Sequence, residues 1–179
     1  MNTYRTSASG RRVILTLLVG ALVIWAFALW SFQNTLGVSY NPLTFWGSLS
    51  AAIAQGLGIG QIVPALLMLV LIVATPLLVW NLLEEWAATY TLTETGLRFQ
   101  SLGVELQIPW TAIQHVRRVE DDGDETLHEI VLTAEVSRQI KNPLVRWLHT
   151  QGFGRQRLPI YAGIEQRDEL VSAIQQRVG

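Results

Sequence analysis

The chain has 179 residues, of which 50% are hydrophobic and only 15% charged, with a formal net charge of −1 and no cysteine. A globular domain carries about 25% charged residues, so the deficit points to lipid as part of the solvent. The absence of cysteine excludes disulfides, thiolate metal sites and a cysteine nucleophile, and the near-zero net charge gives no bulk electrostatic reason to bind nucleic acid.

The charges are unevenly spread. Residues 13–83 contain no Asp, Glu, Lys or Arg, while residues 84–179 hold all the acidic side chains and all but three of the basic ones. The chain therefore changes solvent near Glu84.

Residues 1–12 read as a short polar tail carrying Arg5, Arg11 and Arg12. Residues 13–32 are an uncharged run that, at about 1.5 Å per residue, covers the hydrocarbon core of a bilayer. Ala26-Phe27-Ala28 resembles a signal-peptide cleavage site, but the apolar run continues through Leu29, Trp30 and Phe32, which favours an uncleaved span. Residues 62–83 form a second span, with Pro64 in its first turn and Pro76 inside it, where a kink is expected. The arginines before the first span and the absence of basic residues from the connector predict a cytoplasmic N-terminus and an outward connector. Two spans then return residues 84–179 to the cytoplasm. The expected localisation is the cell (inner) membrane, multi-pass, with both termini cytoplasmic.

The connector, residues 33–61, opens a helix signal at Asn41-Pro42, followed by Trp46, Leu49, Ile53 and Leu57 at helical spacing. A short helix on the membrane surface or on a partner is expected. Gly56 and Gly60 form a small-xxx-small pair suited to helix packing, or else a flexible turn into the second span.

In the last half the period falls from 3.6 to 2. Tyr90 and Leu92, Leu97 and Phe99, then Val104, Leu106 and Ile108 alternate with polar residues, the pattern of a meander with one buried face. A fourth strand is expected around 116–119, a turn at Asp121-Asp122-Gly123-Asp124, a fifth strand over 128–136 and a short one over 158–161. Leu170, Val171, Ile174 and Val178 share one face of a C-terminal helix.

Three stretches carry a resemblance: Tyr90-Thr91-Leu92-Thr93-Glu94-Thr95-Gly96-Leu97, Ile108-Pro109-Trp110-Thr111-Ala112-Ile113, and Leu158-Pro159-Ile160 before the last helix. Together they resemble the bacterial membrane-flanked pleckstrin-homology-like domains over roughly residues 89–178. The resemblance implies an α+β membrane protein: two transmembrane helices, then an antiparallel, partly open β-barrel capped by the C-terminal helix. It also implies binding or scaffolding rather than catalysis. The chain departs from the lipid-binding members in one respect: the turn Glu94-Thr95-Gly96 lacks a basic cluster and has only Arg98 nearby, which argues against phosphoinositide binding in the familiar mode.

Between residues 137 and 164 the sequence has Arg138, Lys141, Arg146, Arg155 and Arg157, with His149 and no acid, interleaved with Ile140, Leu144, Val145, Trp147, Leu148 and Phe153. Arg138, Lys141, Arg146, Trp147, Arg155 and Arg157 are the candidate contact residues. Cations meeting headgroups while Trp and Leu dip in would suit a membrane surface. The same segment suits a protein partner, or an inserted loop that closes the barrel.

His115, His128 and His149 lack metal-ligand spacing, and the acidic run 120–125 fits a solvated turn rather than a calcium loop. Trp110 reads as core. The uncharged spans disfavour an ion path. Nucleophile, metal and paired-carboxylate signals are all missing, so no enzyme and no cofactor are expected. The expected function is a membrane-anchored binding or scaffold module. Its expected partners are membrane lipids and a membrane or cytoplasmic protein, with no nucleic acid. The alternative is an accessory subunit of a larger membrane complex, such as an electron-transfer or other energy-conversion assembly.

Overall fold

The computed structural model describes residues 2–41, 43–119 and 127–178. Pro42, the 121–124 turn and the 120–125 acidic run lie outside the described residues. The chain forms two compact units, Met1–Leu15 with Trp80–Gly179, and Thr16–Val79. The fold is α+β, with two long apolar helices, α1 (Ala8–Leu36) and α3 (Ile59–Ala87), each long and apolar enough to cross a membrane.

In the unit of residues 16–79, a third helix, α2 (Phe45–Ala54), lies between the two in sequence. It starts later than the Asn-Pro signal suggests. Asn41 caps locally instead: its Oδ1 accepts from Leu43 N at 3.0 Å, and its carbonyl accepts from Thr44 N and Phe45 N. The prolines of α3 shape its contacts. Pro76 has no N–H, so the carbonyl of Ile72 one turn earlier loses its helical donor. The indole Nε1 of Trp25 in α1 donates to that carbonyl at 3.1 Å. Ala21, Ala28 and Ala65 are buried, and such small residues let helix backbones come close.

The other unit contains two antiparallel sheets. The first has the order β1 (Asn2–Arg5), β2 (Thr89–Leu92), β3 (Gly96–Ser101), β4 (Val104–Pro109). The second runs β5 (Ile113–Val119), β6 (Leu127–Leu132), β7 (Arg157–Ile160). The expected fifth strand therefore ends at Leu132, short of Val136. The expected antiparallel strands are present, but as two sheets that do not form a closed barrel. A 3-10 turn at Trp110–Ala112 carries the chain from β4 into the second sheet. The outer edge of β4 is instead met by one side chain: Gln139 Oε1 accepts from Gln107 N at 2.8 Å, and Gln139 Nε2 donates to Gln107 O at 2.9 Å. A primary amide thus stands where a further strand would pair.

β1 is the larger departure. Residues 2–5, expected as part of a tail, pair with β2 from Asn2↔Leu92 to Arg5↔Thr89. Tyr4 is buried in the core, and its hydroxyl donates to Glu169 Oε1 at 3.3 Å. Thr6 bridges to Ile164. Ser7 then caps α1, its Oγ accepting from Gly10 N at 3.0 Å.

The β2–β3 turn demands glycine. Thr93 Oγ1 donates to Gly96 O at 2.7 Å, and β3 runs so close to β4 that a Cβ at Gly96 would lie 2.8 Å from Pro109 Cα. The core joins both sheets through Tyr90, Phe99, Leu106, Ile130, Leu158 and Ile160. The closing helix α5 (Arg167–Val178) lays Leu170, Val171 and Ile174 against it and rests on β5.

The Trp25 contact is directly testable. Trp25→Phe is expected to cost about 1 kcal/mol of stability in detergent micelles, the size of one intramembrane hydrogen bond. With Pro76→Ala already present the same change should cost less, because an alanine at that position restores the missing backbone N–H. A double-mutant cycle on thermal unfolding measures the coupling, and zero coupling would refute this role of the indole.

Candidate functional site

The end of α3 carries a buried polar cluster. Glu84 has no exposed surface, and its backbone lies in the final turn, where helical carbonyls lack intrahelical donors. Neighbouring elements supply them: Ser101 Oγ of β3 donates to Glu84 O, and Thr6 Oγ1 donates to Glu85 O at 2.8 Å. The side chain of Glu84 is met oxygen by oxygen. Trp80 Nε1 donates to Oε2 at 3.1 Å, and Oε1 is hydrogen-bonded to His149 Nδ1. An ionised carboxylate only accepts, so Nδ1 carries the proton when Glu84 is charged.

His149 belongs to α4 (Pro143–Phe153), an element absent from the sequence expectations. Its start is well determined: Asn142 Oδ1 accepts from Leu144 N at 2.9 Å and Val145 N at 3.3 Å, with Pro143 following the cap. The inward face presents Val145, His149 and Phe153. The imidazole sits between the rings of Phe99 and Phe153, at centroid distances of 6.2 and 6.0 Å. Gly152 comes against α3, where an added Cβ would stand 3.0 Å from Asn81 Oδ1.

Two tyrosines border this cluster. Tyr90 OH donates to Pro159 O at 2.7 Å, whereas Tyr161 OH is buried with no hydrogen-bond partner among the described residues. Burial pushes both phenols well above their usual range, and the carboxylates of Glu84 and Glu85 push in the same direction. Elsewhere, burial and then the Arg167 guanidinium hold His128 below the usual imidazole range, while Asp168 opposes them.

The candidate contact residues separate into two groups. Arg138 and Arg155 lie 3.7 and 4.0 Å from Glu135, and Arg157 lies 3.9 Å from Glu129, which also pairs with Arg117 at 2.8 Å. The segment is acid-free only along the chain. In space, β6 and the residues after it bring two carboxylates among its arginines, lining an open groove of about 690 Å³. Lys141 and Arg146 have no acidic partner among the described residues. They flank Leu144 and Trp147, which are 61% and 48% exposed on the outward face of α4.

Gly56 and Gly60 do not share a helix. Gly56 follows α2 with φ +82°, Gly60 is the second residue of α3, and an added Cβ at either would meet nothing within 4 Å. Trp110 is partly buried against the core, its indole donating to Glu94 O at 3.2 Å, with the Arg177 guanidinium 5.0 Å over the ring. Among the described residues no group of three or more His, Cys, Asp or Glu side chains is placed to hold a metal ion. No family model matches the chain, and neither a curated protein nor a solved structure matches it.

The polar cluster makes two predictions. His149→Ala strands a buried carboxylate and is expected to cost about 3–5 kcal/mol, while Glu84→Leu combined with His149→Leu should recover most of that loss. Chemical denaturation of the single and double variants checks this, and equal losses in both would contradict it. Removing the hydroxyl in Tyr161→Phe should leave stability unchanged or raise it, whereas Tyr90→Phe should lower it by about 1 kcal/mol. A shared sign in thermal melts would remove the distinction between the two phenols.

Proposed function

We propose that this chain is a non-catalytic membrane-anchored scaffold, in which α1 and α3 cross the cell membrane as a hairpin and hold the two-sheet domain at its cytoplasmic face. The observation that carries this reading is the β1–β2 ladder. β1 joins α1 through Thr6 and Ser7 alone, and β2 follows α3 after Ala88. Strands that exchange backbone hydrogen bonds lie in one compartment, so the polar ends of the two apolar helices belong on one side. Arg5, Arg11 and Arg12 favour the cytoplasm for that side. Connections this short suit a module that presents a surface close to the bilayer. The resemblance to pleckstrin-homology-like domains is supported by the meander and by α5 closing on β5, and it favours binding over catalysis.

The absence of native cysteine makes the test clean. Thr3→Cys, Gln55→Cys and Gln175→Cys variants are treated with a membrane-impermeant maleimide. Gln55→Cys should be labelled from outside intact cells, and the other two only after lysis. Labelling of Thr3→Cys and Gln175→Cys from opposite sides would end the hairpin reading.

A second reading, an accessory subunit of a larger membrane complex, is favoured by one observation. The connector has no charged residue, and its Leu43 and Trp46 are 92% and 74% exposed. Apolar surface of that kind fits lipid or a neighbouring membrane protein. Extraction of the native membrane in mild detergent separates the readings: migration as a lone small species would count against the subunit.

A further inference from the structure

We infer that the outward face of α4, formed by Leu144 and Trp147 between Lys141 and Arg146, seats on the anionic surface of the bilayer that α3 leaves. This rests on the proposed spanning of the membrane by α1 and α3.

Three observations converge. First, α4 is apolar on two sides. Val145, His149 and Phe153 face the core, which accounts for one side and leaves the exposed Leu144 and Trp147 without an occupant. Second, of the five cations in residues 137–164, the two beside that second side, Lys141 and Arg146, have no acidic partner among the described residues, whereas Arg138 and Arg155 lie near Glu135 and Arg157 near Glu129. The face is thus complementary to a negatively charged surface with an apolar interior beneath it. Third, α4 is fastened to the last turns of α3. His149 hydrogen-bonds Glu84, and Gly152 touches Asn81. The uncharged run of α3 ends at Leu83, one residue before that attachment. α4 is therefore held where a span meets headgroups, the depth at which Trp and Lys or Arg are favoured. A soluble protein partner would explain the cations and the tryptophan, but not their attachment at this height.

The test uses the full chain in nanodiscs, either of phosphatidylcholine alone or with phosphatidylglycerol added. Gln151→Cys, on the same outward face, carries an environment-sensitive fluorophore, and a second preparation carries it at Leu22→Cys in α1. Nitroxide-labelled lipid reports contact. The expected result is quenching at position 151 in the anionic discs, falling by about twofold or more in Lys141→Glu/Arg146→Glu or at high salt. Quenching at position 22 with none at 151 in either disc overturns the inference and leaves the spanning reading intact. A blue shift at 151 without quenching, which reports burial against protein, overturns it equally. Absence of quenching at position 22 overturns the spanning reading itself.

Discussion

A carboxyl group with no exposed surface needs partners for its polar atoms, and at Glu84 they come from several elements of the fold. One oxygen takes the indole of Trp80 from the preceding turn of the same helix. The other takes the imidazole of His149, 65 residues further along the chain. The same residue's backbone carbonyl takes Ser101 from β3. A long apolar helix, a sheet and an amphipathic helix are thereby joined at one amino acid. Apolar packing alone would hold these elements together with more freedom to slide, since hydrophobic burial has no direction and hydrogen bonds do. Replacing such a pair by hydrophobic groups is often no loss in stability. The pair joins α4 to α3 at one defined point.

The second constraint is topological. The first sheet takes its edge strand from before both apolar helices and its other strands from after them. Thr6 adds a hydrogen bond from that leading segment to Glu85, so the start of α1 and the end of α3 are tied by side chain as well as by ladder. The sheet is thus completed by chain from both sides of the two long helices.

What can be read in the sequence follows from how local each signal is. The charge gap over residues 13–83 and the strict alternation of Val104, Leu106 and Ile108 are local, and the corresponding helices and strand are present. β1 is four residues, Asn-Thr-Tyr-Arg, too short for a period to register, and Thr3 lies 88 residues from its neighbour Thr91. The acids near Arg155 and Arg157 arrive through the fold, Glu129 from β6, which pairs with β7, and Glu135 from the residues after β6, which a linear count of charges does not see. His149 looks ordinary because Glu84 stands far from it in sequence. The side-chain pairing of Gln139 with the edge of β4 is likewise non-local, and no periodicity announces it. α4 is legible in principle: Asn142-Pro143 is the same cap-and-proline signal as Asn41-Pro42, masked by the arginines interleaved around it.

The order in which the chain is made gives the β1–β2 ladder a further meaning. β1 leaves the ribosome before both long apolar helices and the connector, and its partner β2 is made only after them. Contacts of such separation in sequence form late, after the intervening segment has lost most of its freedom. Because the intervening segment is the helical pair, β1 completes the sheet where the start of α1 and the end of α3 are tied together. A chain with one helix misplaced would display three strands and an open β2 edge, the kind of surface that invites aggregation or disposal. A finished four-stranded sheet therefore requires chain from both sides of the helical pair.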